Sequence, residues 1–189
     1  MSVVLAYADD KIAVLASDGR VVDGNNNILK ENYSKIKRIN SKTIIGFAGE
    51  LLPCENIANI LTNPLHTDLI ESLYVEDIVP IIQKLLIPAP EQIRVGFIIC
   101  GIDRKNQICL SHILNHQEPV FQHPSRYEPC YQGLYPEEID RNCDVFGDNL
   151  KKYYPNILPA INSTISYCAQ NSPSVNDTIY LETLRTAQE

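Results

Sequence analysis

Apolar and polar positions alternate in short blocks over the first fifty residues, and the blocks have strand length. Residues 3–7 form one apolar run and residues 11–17 a second, with the hairpin signal Ala8-Asp9-Asp10 between them. Asp18-Gly19-Arg20 breaks the pattern. Val21 and Val22 extend a strand edge before the loop Asp23-Gly24-Asn25-Asn26-Asn27. Residues 36–39 and 43–48 make another strand pair, joined by Asn40-Ser41-Lys42. Strands therefore precede any helix.

The period changes after Gly49-Glu50. Pro53 suits the first turn of a helix, and Ile57, Ile60 and Leu61 keep helical spacing. A second helix is expected over residues 75–86, with Pro80 in its interior predicting a kink or a later start. Pro88-Ala89-Pro90 closes this region. Residues 94–101 read as a core strand, 103–106 as a hairpin turn and 107–114 as the returning strand. Residues 115–143, rich in Pro, Tyr, His and Glu, carry no readable period. Helices are expected over 148–154 and 157–170, and an alternating strand over 178–184. Strands, helices, strands, helices, strand is not the alternation of a doubly wound fold. It predicts an α+β protein, a four-layer αββα sandwich of two antiparallel sheets with helices outside.

At 189 residues the chain is expected to form one domain over 1–189 with a substantial core. Its net charge of −7 and lack of a basic cluster argue against nucleic acid as a partner. No apolar stretch approaches the roughly 20 residues that span a bilayer. The N-terminus lacks the basic and apolar regions of a signal peptide, so neither membrane nor export is expected and the cytoplasm is the default location. Six scattered cysteines without a C-x-x-C pair read as reduced, mostly buried small hydrophobes. No cofactor is expected. His112 and His116 share i,i+4 spacing but lack the H-E-x-x-H pattern of a zinc site. A metal-binding module built on them is a rival reading.

Four segments carry chemistry in order: the strand beginning at Ser2, the turn Ser17-Asp18-Gly19-Arg20, the run Asn32-Tyr33-Ser34-Lys35-Ile36-Lys37-Arg38-Ile39, and Ile45-Gly46-Phe47-Ala48-Gly49. Each alone has a bland reading, as a common second residue, a turn, a solvated face and a strand end. Together they resemble the proteasome β-type Ntn (N-terminal nucleophile) hydrolases, most closely the peptidase subunit of the bacterial two-component ATP-dependent protease. The resemblance is clear over residues 2–62. It implies that Ser2, exposed once Met1 is removed, is the nucleophile. A serine hydroxyl needs a base, and its own α-amine, with an unperturbed pKa of about 7.7–8.0, can serve. Asp18 would hold Lys35 charged, Lys35 would favour the neutral amine, and the Gly49 N–H would receive the oxyanion. The resemblance also implies a peptide or unfolded polypeptide substrate, a homo-oligomeric ring and an ATP-dependent unfoldase as partner.

The chain departs from that family pattern in places. Serine stands for the usual threonine. Lys35 falls one residue late, which one insertion in the 25–27 loop would explain. Candidate supporting positions are Asp148, where a serine is expected, Ser172, where an aspartate is usual, and Val175; Asn176 stands where a glycine is usual. These changes keep two rivals open on the same fold, a non-catalytic structural subunit and an amidase acting on a small molecule.

Overall fold

The computed structural model describes residues 2–87, 94–114, 117–140 and 144–186. Strands β1 (Val4–Ala8) and β2 (Ile12–Asp18) form the first hairpin. The Asp9 carboxylate closes its turn by accepting the N–H groups of Lys11 and Ile12 at 2.8 and 2.9 Å. A small ribbon follows, β3 (Val21–Val22) with β4 (Ile28–Lys30), and then the hairpin β5 (Ile36–Asn40) and β6 (Thr43–Gly49). Helices α1 (Leu51–Leu61), α2 (Thr67–Ser72) and α3 (Val75–Leu86) lead to strands β7 (Val95–Ile102), β8 (Ile108–Leu114), β9 (Val120–Gln122) and β10 (Cys130–Leu134). Helices α4 (Val145–Tyr153) and α5 (Ile157–Asn171) precede the last strand, β11 (Ile179–Arg185).

The strands make two main antiparallel sheets, ordered β10-β1-β2-β11 and β5-β6-β7-β8-β9. The period of two along each strand sorts its side chains into layers. Val4, Ala6 and Ala8 of β1 meet Ile44, Ala48 and Ile98 between the sheets. Val3, Leu5 and Tyr7 point the other way, to Phe146, Ile161 and Ile165 of α4 and α5. Ile45 and Phe47 of β6 meet Ile78 and Ile82 of α3 and Ile57 of α1. Three apolar interfaces thus separate four layers, helices–sheet–sheet–helices, as the pattern predicts. Strands buried on both faces explain the continuous apolar runs. The sheets pack tightly at Gly46, where a Cβ would lie 2.7 Å from Val4.

Several expectations need correction. Helix α3 starts at Val75 and runs through Pro80, so the later start does not occur. Losing one hydrogen bond at proline costs roughly 3 kcal/mol. Burying Val75, Ile78, Val79, Ile82 and Leu86 at roughly 1.5–3 kcal/mol each outweighs it. Helix α4 begins at Val145, ahead of the expected 148, because Asp144 caps it by accepting the Gly147 N–H at 3.0 Å. Helix α2 went unpredicted, for Ile70 is its sole buried residue. The unreadable 115–143 region supplies both β9 and β10, edge strands whose side chains are exposed or half-buried and show no period. Cys54, Cys100, Cys109 and Cys168 are buried free thiols and Cys130 a partly buried one; Cys143 and the Pro88–Pro90 breaker lie outside the described residues.

Candidate active site

Strand pairing puts the start of β1 beside the end of β2, so Ser2 and Asp18 arrive together. The Asp18 N–H donates to the Val3 carbonyl at 3.3 Å, and the Val3 N–H donates to Asp18 Oδ1 at 2.9 Å. The amide immediately after Ser2 is therefore held by the Asp18 carboxylate. The other oxygen, Oδ2, accepts the Arg20 N–H at 2.8 Å.

Lys35 comes from the residue before β5, fixed to β6 by the Phe47 N–H donating to its carbonyl at 3.1 Å. Its Nζ donates to Asp18 Oδ1 at 2.7 Å and to the Asp18 carbonyl at 3.1 Å. The two side chains are 3% and 0% exposed, so this is a buried pair. Burial lowers the Lys35 pKa from the ordinary lysine value, and the Asp18 charge and hydrogen bond oppose that only in part. Desolvation is thus the larger influence, while the Asp18 partner acts, as expected, in favour of the charged lysine.

Gly49 ends β6 with φ +116°, a conformation L side chains rarely adopt. A Cβ there would sit 2.0 Å from the Arg94 carbonyl oxygen, which accepts the Glu50 N–H at 3.0 Å. The preceding Ala48 carbonyl accepts from the buried Cys54 Sγ on α1 at 3.8 Å. A trans peptide points its C=O and N–H in opposite directions, so the Gly49 N–H is turned away from α1. Burial raises the Cys54 thiol to about 12, which keeps it a neutral donor.

Ser2, Lys35 and Gly49 line one cavity of about 800 Å³. Val21, Val22, Leu29, Leu51 and Leu52 form its apolar wall, and Asp23, Glu50, Glu137 and Glu138 its acidic side. Arg94, also in the lining, pairs with Glu137. Ser2 is 8% exposed, and Asp18 lies behind Lys35, outside the lining. The cavity can admit an extended chain past a hydroxyl, an ammonium and a backbone donor.

The supporting candidates are not brought together. Asp148 sits in the first turn of α4, its side chain 74% exposed and paired with Lys151 at 3.1 Å, away from the cavity lining. Ser172 follows α5; its buried hydroxyl donates to Glu138 Oε2 at 3.2 Å and meets the Ser174 hydroxyl at 2.8 Å. Val175 is buried in the apolar layer that contains Val3. Neither lines the cavity. His112 stands on β8 with its Nδ1 buried and unpartnered, and burial lowers its pKa. His116 lies outside the described residues, and among those described no group of three His, Cys, Asp or Glu could hold a metal ion. No described helix is long and apolar enough to cross a membrane.

Sequence reasoning missed Glu137 and Glu138, which sit in the region without a period. It also missed Arg20, Glu31 and Asn176 as a bonded group. Arg20 ends one matched segment and Glu31 immediately precedes another, so opposite charges at these positions were a signal that charge pairing could have supplied.

Comparison with known proteins bears on the whole arrangement. A family model described as Proteasome subunit matches residues 2–113, more than half of the chain. Eukaryotic HslV from Trypanosoma brucei has a similar solved structure, with a TM-score of 0.62 at 15% identity over 97% of this chain and 99% of that one. No curated protein matches the chain in sequence. The family match spans Ser2, Asp18, Lys35 and Gly49, while Asp148, Ser172 and Val175 lie beyond it.

Proposed function

The chain belongs to the proteasome subunit family, and on that premise we propose that it is a peptidase using Ser2 as an N-terminal nucleophile, within a single Ntn unit that spans the chain. One observation carries the reading. The Asp18 carboxylate grips both the amide next to Ser2 and the Lys35 ammonium, while Ser2, Lys35 and Gly49 share a cavity.

The reaction needs Ser2 as first residue, so Met1 must be removed. The Ser2 hydroxyl proton passes to its own α-amine as Oγ bonds to the scissile carbonyl carbon. Charge develops on the carbonyl oxygen, and the Gly49 N–H stabilises it; one such donor is worth roughly 3–4 kcal/mol. The amine then protonates the leaving nitrogen, the C–N bond breaks and an ester remains on Oγ. Water, losing a proton to the amine, attacks that ester; the acid departs and the hydroxyl is regenerated. Lys35 biases the α-amine toward its neutral, proton-accepting form. Asp18 fixes Lys35 and the backbone that carries Ser2.

The resemblance supports a peptide or unfolded polypeptide as substrate, a homo-oligomeric ring as the setting and an ATP-dependent unfoldase as a candidate partner; the cytoplasm is the location expected from the N-terminal sequence. A non-catalytic subunit is the second reading, favoured by Asp148 facing solvent where a supporting hydroxyl is expected. Two measurements decide. Ser2→Ala should abolish peptide hydrolysis while leaving the fold intact; unchanged hydrolysis sinks the serine mechanism. Intact mass should show Met1 removed, whereas retained Met1 leaves the amine blocked and favours the structural subunit.

A further inference from the structure

Asn176 stands where the family pattern has a glycine, and its side chain is fully engaged. Its Oδ1 accepts the Gly19 N–H at 2.9 Å. Its Nδ2 donates to the Glu31 carbonyl at 2.8 Å and to Glu31 Oε2 at 2.7 Å. Gly19 is the residue directly after Asp18, and Glu31 begins the short segment that ends at Lys35. One amide side chain, 157 positions from Gly19 in sequence, therefore joins the two stretches that deliver the buried pair. A glycine at 176 could supply none of these bonds.

The surroundings complete the joint. Arg20 grips the same Glu31 carboxylate through Nε at 3.3 Å and Nη2 at 3.0 Å, and its Nη1 donates to the Pro173 carbonyl at 2.9 Å. The Tyr33 N–H donates to the Gly19 carbonyl at 3.0 Å. A Cβ at Gly19 would meet Thr178 at 2.9 Å and the Glu31 carbonyl at 3.0 Å, so the turn has no space to shift. Hydrogen bonds from Arg20 and Asn176 hold the Glu31 carboxyl below its usual range, so it stays an acceptor. The joint touches the Asp18 carboxylate through the Arg20 N–H.

We propose that Asn176 is a positioning residue for Ser2 chemistry, bracing the Asp18 turn against the Glu31–Lys35 segment so that the carboxylate–ammonium pair keeps its place at the cavity. Asn176 touches no reacting atom. It acts through Gly19 on one side and Glu31 on the other. This rests on the proposed role of Ser2, and it extends that role to a residue where this chain parts from the family pattern.

The test uses Asn176→Gly, which removes the brace, and Asn176→Asp, which keeps the Gly19 acceptor but sets a carboxylate against Glu31. Both should lower kcat on a fluorogenic peptide by about 10²-fold, the cost of small misplacement of a catalytic group, with KM within about twofold. Adding Glu31→Gln to Asn176→Asp removes the like charge and should recover part of the loss. The second readout is the Lys35 Nζ titration followed by NMR. Water entering a loosened pair relieves the desolvation that dominates there, so the midpoint should move toward the ordinary lysine range in Asn176→Gly. This readout holds even if the wild-type protein cleaves no tested peptide. Unaltered kcat and an unaltered Lys35 midpoint in both single variants overturn the brace. Loss of activity on Ser2→Ala alongside unaffected Asn176 variants overturns the brace and spares the serine mechanism. A shifted Lys35 midpoint with an active Ser2→Ala protein spares the brace and sinks the mechanism.

Discussion

The segment from Ser2 to Gly49 and the segment from Asp144 to Asn176 hold their candidate residues on different terms. In the first, the key side chains are buried and bonded to one another: Lys35 to Asp18, and Asp18 to the Val3 amide. In the second, Asp148 faces water, Ser172 turns to Glu138, Val175 joins the core, and Asn176 reaches back into the first. Strand register fixes the first set, since a slip of one residue would turn every side chain to the wrong face. Helix ends and a loop place the second set, and these tolerate substitution at lower cost. Chemistry concentrates where register is fixed, and the other side contributes mainly by bracing.

The comparison breaks most sharply at the buried pair. Lys35→Met leaves the Asp18 carboxylate buried beside an apolar chain, which costs about 3–5 kcal/mol, and it removes the cation near Ser2. Chemical denaturation should show that loss, and peptidase activity should fall to background. The double variant Asp18→Leu/Lys35→Met should recover much of the stability and none of the activity. Recovery of activity in the double variant would show that the pair serves folding alone.

Gly49→Ala comes next. A φ of +116° and an Arg94 oxygen 2.0 Å from the added carbon leave no room for the methyl group. Strain of this kind costs of order 1–3 kcal/mol before the clash is counted. The strand end must move, and the oxyanion donor moves with it. A melting curve lowered by several degrees, with kcat lost more than KM is raised, is the expected result.

A smaller effect appears with pH. Lys35 has a folded pKa below the ordinary lysine value of 10.5. The unfolded chain therefore binds the extra proton between the two values, and stability from this group rises with pH across that window. The burial penalty is full below the folded pKa and is relieved as pH climbs toward 10.5. Comparing urea midpoints of the wild type and the Asp18→Leu/Lys35→Met protein from pH 7 upward isolates the term. A wild-type advantage over the double variant that shrinks as pH rises runs against burial as the dominant influence.

How much of this the sequence announces depends on burial. Strands β1, β2, β6 and β7 are covered on both faces, so their apolar runs read plainly, and the order of elements follows. Ser2, Asp18 and Gly49 sit at the start or end of such strands, and Lys35 directly precedes β5, so the four were legible as an ordered set. The late position of Lys35 also makes sense. The 23–27 loop projects from the ribbon, the Asp23 carboxylate ties down Asn25 and Asn27, and Asn26 takes a left-handed φ of 62° that suits asparagine. A loop of this kind is where the one-residue insertion expected from the sequence would be accommodated without disturbing β5. Strands β9 and β10 were illegible because an edge strand is defined by hydrogen bonds to its neighbour, and a row of exposed and half-buried side chains without alternation carries no trace of them. The link from Asn176 to Gly19 was illegible for a similar reason. It joins two loops, and no periodicity spans them.

The smallest expected effect is at Asp148, the position that the family pattern assigns to a supporting serine. Its carboxylate pairs with Lys151, one turn away on the same exposed face of α4, and both side chains are about three-quarters in water, at 74% and 76%. Such pairs are worth roughly 0.2–1 kcal/mol. Asp148→Ser should therefore leave kcat and KM within about twofold of wild type and shift the unfolding free energy by less than about 1 kcal/mol. Ser172→Asp, which also restores a family residue, should do worse, because its carboxylate would enter at the site where Ser172 now donates to Glu138 at 3.2 Å. Matching the pattern by position helps only where the neighbours match as well. If Asp148→Ser raised kcat tenfold, α4 would have to present residue 148 to the cavity during turnover, and the two segments would then share the catalytic work that the present geometry gives to one.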